Sequence, residues 1–152
     1  MRIEAAFEGV RRIFLDTAPV VYLVEANPEF GALVQRTFQM MEEQGITTVA
    51  SPVTLAECLV LPLRSQQVLA EQSFRVLLTE TEGMSFVDID AQIGAKAAAL
   101  RGKYRLRLPD AFQIAVAVCS GCDGFLTNDR ALKRVEELNV ILLSDLVTSE
   151  GE

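Results

Sequence analysis

Apolar residues along this chain follow two rhythms, and the alternation between them predicts its architecture. Ile3, Ala6, Phe7 and Val10 recur at helical spacing, which predicts a short amphipathic helix over residues 2–9, stopped by Gly9. Ile13 to Leu15 is a continuous apolar burst that reads as a strand buried on both faces. Beyond it the spacing turns helical again, over 19–26 up to the breaker Asn27-Pro28, then over 29–44 with Phe30, Leu33, Val34, Phe38 and Met41 on one side. The β-branched run 46–50 predicts a second strand, and Ser51-Pro52 starts a helix broken at Pro62. A further helix is predicted over 65–79, a strand over 84–87 and an Ala-rich helix over 91–104. Residues 111–118 form the most apolar helix, expected to be central, followed by a strand over 124–127, a short helix over 130–138 and a strand over 140–143. The tail from 144 to 152, above all the small and acidic stretch from Thr148, is expected to fray.

Strands alternating with helices predict an α/β fold with a parallel sheet and right-handed crossovers. No repeat or linker interrupts it. The expectation is a single domain over 1–152, in which 1–12 is an N-terminal helical extension. Half the residues are hydrophobic, enough for a sizeable core, yet no apolar run approaches the ~20 residues that span a bilayer. The acidic N-terminus lacks a signal-peptide core, so the expected location is the cytoplasm, without membrane contact.

Charge and residue types narrow the chemistry. A net charge of −7 argues against a general nucleic-acid coat but not against a nuclease, whose own carboxylates add to the count. Histidine is absent, which removes imidazole acid–base catalysis, Ser-His triads and His-based zinc sites. Catalysis then falls to carboxylates with a hard cation such as Mg²⁺ or Mn²⁺. Cys119 and Cys122 have CxxC spacing but close a helix instead of opening one, and with Cys58 they read as ordinary buried thiols.

Four acids stand out by position. Asp16 ends the first strand, where open α/β sheets place ligands. Glu57 lies among Leu55, Ala56, Cys58 and Leu59, where an unpaired carboxylate is costly and calls for a cation. Asp110 opens the central helix and Asp129 follows the fourth strand. Capping explains three of them singly: Asp16 or Thr17 before Pro19, Asp110 with Gln113 as a capping box, Asp129 after Asn128. A shared site explains all four.

The stretches Phe14-Leu15-Asp16-Thr17 with Tyr22, Ser51 to Glu57, Leu108-Pro109-Asp110-Ala111-Phe112-Gln113-Ile114-Ala115 and Leu126-Thr127-Asn128-Asp129-Arg130 resemble, in that order, the PIN-domain superfamily, and within it the VapC toxins. The resemblance runs from about Ile13 to Leu143. It implies a flavodoxin-like, three-layer α/β/α sandwich whose acidic pocket binds Mg²⁺ or Mn²⁺ and cleaves RNA. Asp16, Glu57, Asp110 and Asp129 would be the catalytic, metal-holding acids, with Thr17, Thr127 and Asn128 in support. Thr127 would orient a carboxylate or water. Ala18 departs from the Asn or Ser that many relatives carry after Asp-Thr, so an outer hydrogen bond to the metal site would be missing. The chemistry implied is hydrolysis of RNA phosphodiesters by metal-activated water, leaving a 5′-phosphate and a 3′-hydroxyl.

The basic run Arg101, Lys103, Arg105 and Arg107, with Tyr104 to stack on a base, would guide RNA towards Asp110. Singly, each fits a solvated helix C-terminus. The expected partners are an RNA substrate, a cognate antitoxin that places an Arg in the pocket, and a second copy of the chain. The homodimer is read from an apolar surplus in Val20, Val21, Leu23, Leu33, Val34, Phe38, Met40 and Met41. The alternative is a catalytically silent PIN-like module that only binds RNA or protein. A receiver-type phosphoacceptor fits less well, lacking an early acidic pair, and Ala18 stands where an Asp-x-Asp phosphatase has its second Asp.

Overall fold

Strands β1 (Arg12–Leu15), β2 (Thr47–Ala50), β3 (Met84–Phe86), β4 (Gly124–Thr127) and β5 (Asn139–Leu142) form one parallel sheet in the order β3-β2-β1-β4-β5. The computed structural model describes residues 1–148. Around the sheet lie α1 (Ile3–Ala6), α2 (Thr17–Val24), α3 (Gly31–Glu43), α4 (Pro52–Arg64), α5 (Val68–Glu80), α6 (Ala91–Tyr104) and α7 (Leu108–Cys119).

Successive side chains of a strand point to opposite faces, and here each face has its own core. Ile13, Leu15, Ala50, Leu126 and Ile141 pack with α1 to α5. Phe14, Val49, Phe125 and Val140 pack with α6 and α7. Phe14 and Phe125 stack with ring centroids 5.3 Å apart, tying β1 to β4. The result is the three-layer α/β/α sandwich expected from the sequence. After β3 the chain crosses back past β1 to lay down β4, so the sheet's topological switch lies between β1 and β4, the usual place for a ligand crevice. Asp16 N–H extends the pairing there, donating to Leu126 C=O at 2.9 Å.

Several expectations are corrected. The N-terminal extension has a helix only over Ile3–Ala6, and Ile3 and Phe7 are buried in the first core. The helix expected to break at Pro62 runs through it to Arg64; a proline one turn from the end removes a single hydrogen bond. The helix expected over 130–138 is only a 3-10 turn, Arg130–Arg134. Residues 144–147 do not fray: Leu143–Asp145 is a 3-10 turn, Leu146 is buried, and Val147 N–H donates to Met1 C=O at 2.8 Å. The rest of the tail beyond Thr148 lies outside the described residues. Cys58 and Cys122 are buried as expected, but Cys119 is exposed where Gly121, at φ +77°, turns the chain out of α7. Burial, then Glu57 and Asp16, pushes the Cys58 thiol up to about 12, leaving it inert.

The apolar residues read in 19–44 divide between the core and the surface. Val20, Val34, Met40 and Met41 are buried and Val21, Leu23, Leu33 and Phe38 pack against the same core. Exposed apolar side chains gather instead on α4 and α5, at Val60, Leu61, Leu63, Val68, Leu69 and Val76. Among the described residues no helix is long and apolar enough to cross a membrane.

Candidate functional site

The carboxyl ends of β1 and β4 deliver Asp16 and Asp129 to one side of the sheet, and the helices on either face add one acid each. α4, capped by Ser51 (Oγ accepting from Val53 N–H at 3.2 Å), carries Glu57 in its second turn. α7 starts at Leu108-Pro109, a proline costing nothing in a first turn, and carries Asp110 just inside it. Asp16, Glu57, Asp110 and Asp129 line a single cleft of about 390 Å³ with Thr17, Ala18, Val21, Tyr22, Arg107 and Asn128. The fold thus gathers the four acids that the sequence scatters.

Each carboxylate is held differently. Asp16, only 9% exposed, accepts from Thr17 N–H at 2.8 Å and from the Thr127 hydroxyl at 2.6 Å. Burial raises its pKa; the two hydrogen bonds oppose this, and the charges of Asp110 and Glu57 add to the rise. Thr127 Oγ1 also accepts from Asp129 N–H at 3.0 Å, so one hydroxyl joins both strand-end acids. Asp129 itself caps the following 3-10 turn through Ala131 N–H at 3.0 Å. Asn128 bridges outwards, accepting from Ser144 N–H at 3.1 Å and donating to the Tyr22 hydroxyl at 3.4 Å.

The apolar setting of Glu57 in the sequence calls for a cation. Two neutral donors meet it instead: the Thr17 hydroxyl and the Gln113 amide, both 2.8 Å from Oε1. Gln113 is fully buried and its own carbonyl accepts from the Thr54 hydroxyl at 3.3 Å. The capping box between Asp110 and Gln113 does not form. Gln113 turns to Glu57, and Asp110, 8% exposed, pairs with Arg107 at 3.1 Å. Sequence reasoning misses Gln113 as a carboxylate holder, although a Gln in the most apolar helix of the chain is the available signal.

The residues of the basic run have different surroundings. Arg107 lines the acidic cleft, whereas Lys103 pairs with Glu137 at 3.4 Å and lies over the Tyr104 ring. Tyr104 donates its hydroxyl to Glu137 and accepts from Glu136 N–H at 3.1 Å, so its polar end is engaged within the chain. Arg101 and Arg105 are exposed, Arg105 closing α6 in the left-handed region at φ 54°.

By chemistry the donor set suits a hard divalent cation, offering carboxylate and hydroxyl oxygens with no softer ligand among the cleft-lining residues. Among the described residues, no three Asp, Glu or Cys side chains stand where they would hold a metal ion.

A model of the PIN domain matches residues 13–138. No curated protein matches the chain. Among solved structures, a toxin–antitoxin complex from Klebsiella pneumoniae is similar at TM-score 0.65 and 20% identity, over 86% of this chain and 97% of that one. VapBC2 from Rickettsia felis, bound to a DNA fragment from its promoter, gives 0.68 and 16% over 86% and 98%. The sarcin–ricin-loop-cleaving toxin VapC20 of Mycobacterium tuberculosis gives 0.63 and 17% over 74% and 86%. At these identities the likeness is one of fold.

Proposed function

The chain belongs to the PIN domain family, and from that premise we propose that it is a Mg²⁺- or Mn²⁺-dependent endoribonuclease acting as the toxin of a toxin–antitoxin pair. The observation that carries the proposal is the meeting of Asp16, Glu57, Asp110 and Asp129 in one cleft at the sheet's switch point. These four would hold the cation, which when bound relieves the charge of a phosphodiester and acidifies a water for attack.

The chain's own residues set the stage for hydrolysis. Thr127 and the Thr17 amide fix Asp16 with both oxygens engaged, so its orientation is settled before substrate arrives. Thr17 and Gln113 both hold Glu57 through a single oxygen, Oε1. Arg107 and Asn128 bring donors to its wall. With no histidine in the chain, protons move between water and carboxylates.

The neighbours solved as toxin–antitoxin complexes support an antitoxin as partner. Both that contact and a homodimer require apolar surface, which α4 and α5 expose. The alternative, a silent binding module, is favoured by one observation, the carboxylates tied to protein donors. One experiment separates the two readings. Purified protein should cut RNA with Mn²⁺, stop in EDTA and lose activity in Asp16→Asn; RNA binding without cleavage under all three conditions would favour the silent module.

A further inference from the structure

Of the described side chains that line the cleft, Arg107 alone carries positive charge, and three of the four acids act on it. Its Nε donates to Asp110 Oδ2 at 3.1 Å. That bond, with the charges of Asp110, Glu57 and Asp129, makes the guanidinium still harder to deprotonate. Arg107 precedes α7 in extended backbone, φ −64° and ψ 150°, so it stands outside the helix that fixes Asp110. Its side chain is 78% exposed while that of Asp110 is 11% exposed, and only Nε is engaged among the described residues. An ion pair this open is screened and readily released. A guanidinium so released keeps its planar fork of donors, which matches the oxygens of a phosphate.

Building on the proposed nuclease reading, we infer that Arg107 changes partner: it neutralises Asp110 in the metal-free cleft, and it anchors a phosphate of bound RNA once Asp110 turns to a divalent cation. The geometry suits both roles. Arg107 reaches Asp110 from the rim, so letting go of that carboxylate leaves its charge at the cleft mouth, where it offsets the acidic wall for an incoming polyanion. A single side chain then links the state of the carboxylates to affinity for substrate.

The test follows the arginine directly. In ¹⁵N-labelled protein the Arg107 Nε–Hε signal is assigned by its disappearance in Arg107→Lys, and Mg²⁺ alone is titrated in. The inference expects that signal to move with Mg²⁺ while those of Arg75 and Arg101, which do not line the cleft, stay put. In Asp110→Asn the signal should start near its released position and respond little. Calorimetry with Mn²⁺ should show Arg107→Ala binding the ion about 2–5-fold more tightly than wild type, as expected for removal of an exposed competing charge. For RNA cleavage, Arg107→Ala should raise KM about tenfold with kcat nearly unchanged, because the arginine grips a phosphate and does not touch the reacting atoms. Saturable Mn²⁺ binding by wild type with an immobile Arg107 signal, or with unchanged or weaker binding by Arg107→Ala, overturns the inference and leaves the nuclease reading standing. Failure of wild type to bind Mn²⁺ overturns both.

Discussion

The cleft has two kinds of acid, and they differ in what holds them. Asp16 and Asp129 sit at the ends of β1 and β4, adjacent strands whose spacing the backbone ladder sets. One hydroxyl, Thr127, serves both. Glu57 and Asp110 hang from α4 and α7, helices on opposite faces of the sheet, and are steadied by other side chains: Thr17, Gln113 and Arg107. Half of the site is therefore fixed by main chain, and half is held by partners that can exchange. The lesson is one of division: the strand ends define where a cation would sit, and the helices decide whether the cleft closes on it.

The largest effect should come from breaking the fixed half. Asp16→Asn should lower RNA cleavage by more than about 100-fold, since even outer partners of metal ligands are worth ~10–100-fold. The same variant should melt at a higher temperature without metal, because it removes a buried charge. Calorimetric melts beside a cleavage assay measure both. Next comes Thr127→Val, which keeps the shape but leaves an oxygen of Asp16 and the Asp129 amide without their shared partner. It should cost about 1–3 kcal/mol in urea denaturation and about 10–100-fold in activity. If Thr127→Val behaves like wild type, the strand ends are not the rigid half.

A smaller loss is expected from the exchangeable half. Gln113→Leu leaves Glu57 with Thr17 as its donor and should cut activity about tenfold, with a stability change near 1 kcal/mol. Gln113→Glu, which sets a second carboxylate against Glu57, should do worse than Leu in both assays. Equal behaviour of the two would show that Gln113 only fills space. The smallest effect is a slope. Asp16 has a raised pKa, so the folded state holds its proton more tightly than the unfolded chain does. Stability of the metal-free protein should therefore fall as pH climbs from about 3.8, the ordinary aspartate value, through the folded pKa. Urea titrations across that range should show this contribution in wild type and not in Asp16→Asn.

Much of this was legible in the sequence, for identifiable reasons. The spans 91–104 and 124–127 emerge with their expected bounds, because α6 has an Asp90 cap and a glycine opens the buried strand β4. Asp16, Asp110 and Asp129 stood out because each follows a strand or opens a helix, positions that periodicity alone marks, and Glu57 because its sequence neighbours are apolar. What stays hidden depends on partners distant in the chain. That the Tyr104 hydroxyl and Lys103 meet Glu137 depends on where β5 and its preceding loop come to rest, and nothing local to 101–107 records that. The same holds for Gln113, whose capping arithmetic with Asp110 is sound until a carboxylate from α4 arrives beside it. The apolar residues of 19–44 show a related limit: composition counts the surface a helix must bury, and the fold covers Val20, Val34, Met40 and Met41 while leaving Val21, Leu23, Leu33 and Phe38 half-buried.

The crossing from β3 back to β4 also sets a timetable. A polypeptide is made from its amino end, and Asp16 is in place long before the hydroxyl it depends on, 111 positions later. A nascent chain that has reached α7 already owns β1, β2 and β3, three of the four acids and most of one core. It lacks the strand that closes the other edge of β1, and with it Thr127 and Asp129. Pairings this remote in sequence form slowly, after the local ones. The cleft is thus an all-or-nothing product of late synthesis, and shorter fragments of the chain carry its acids without its shape.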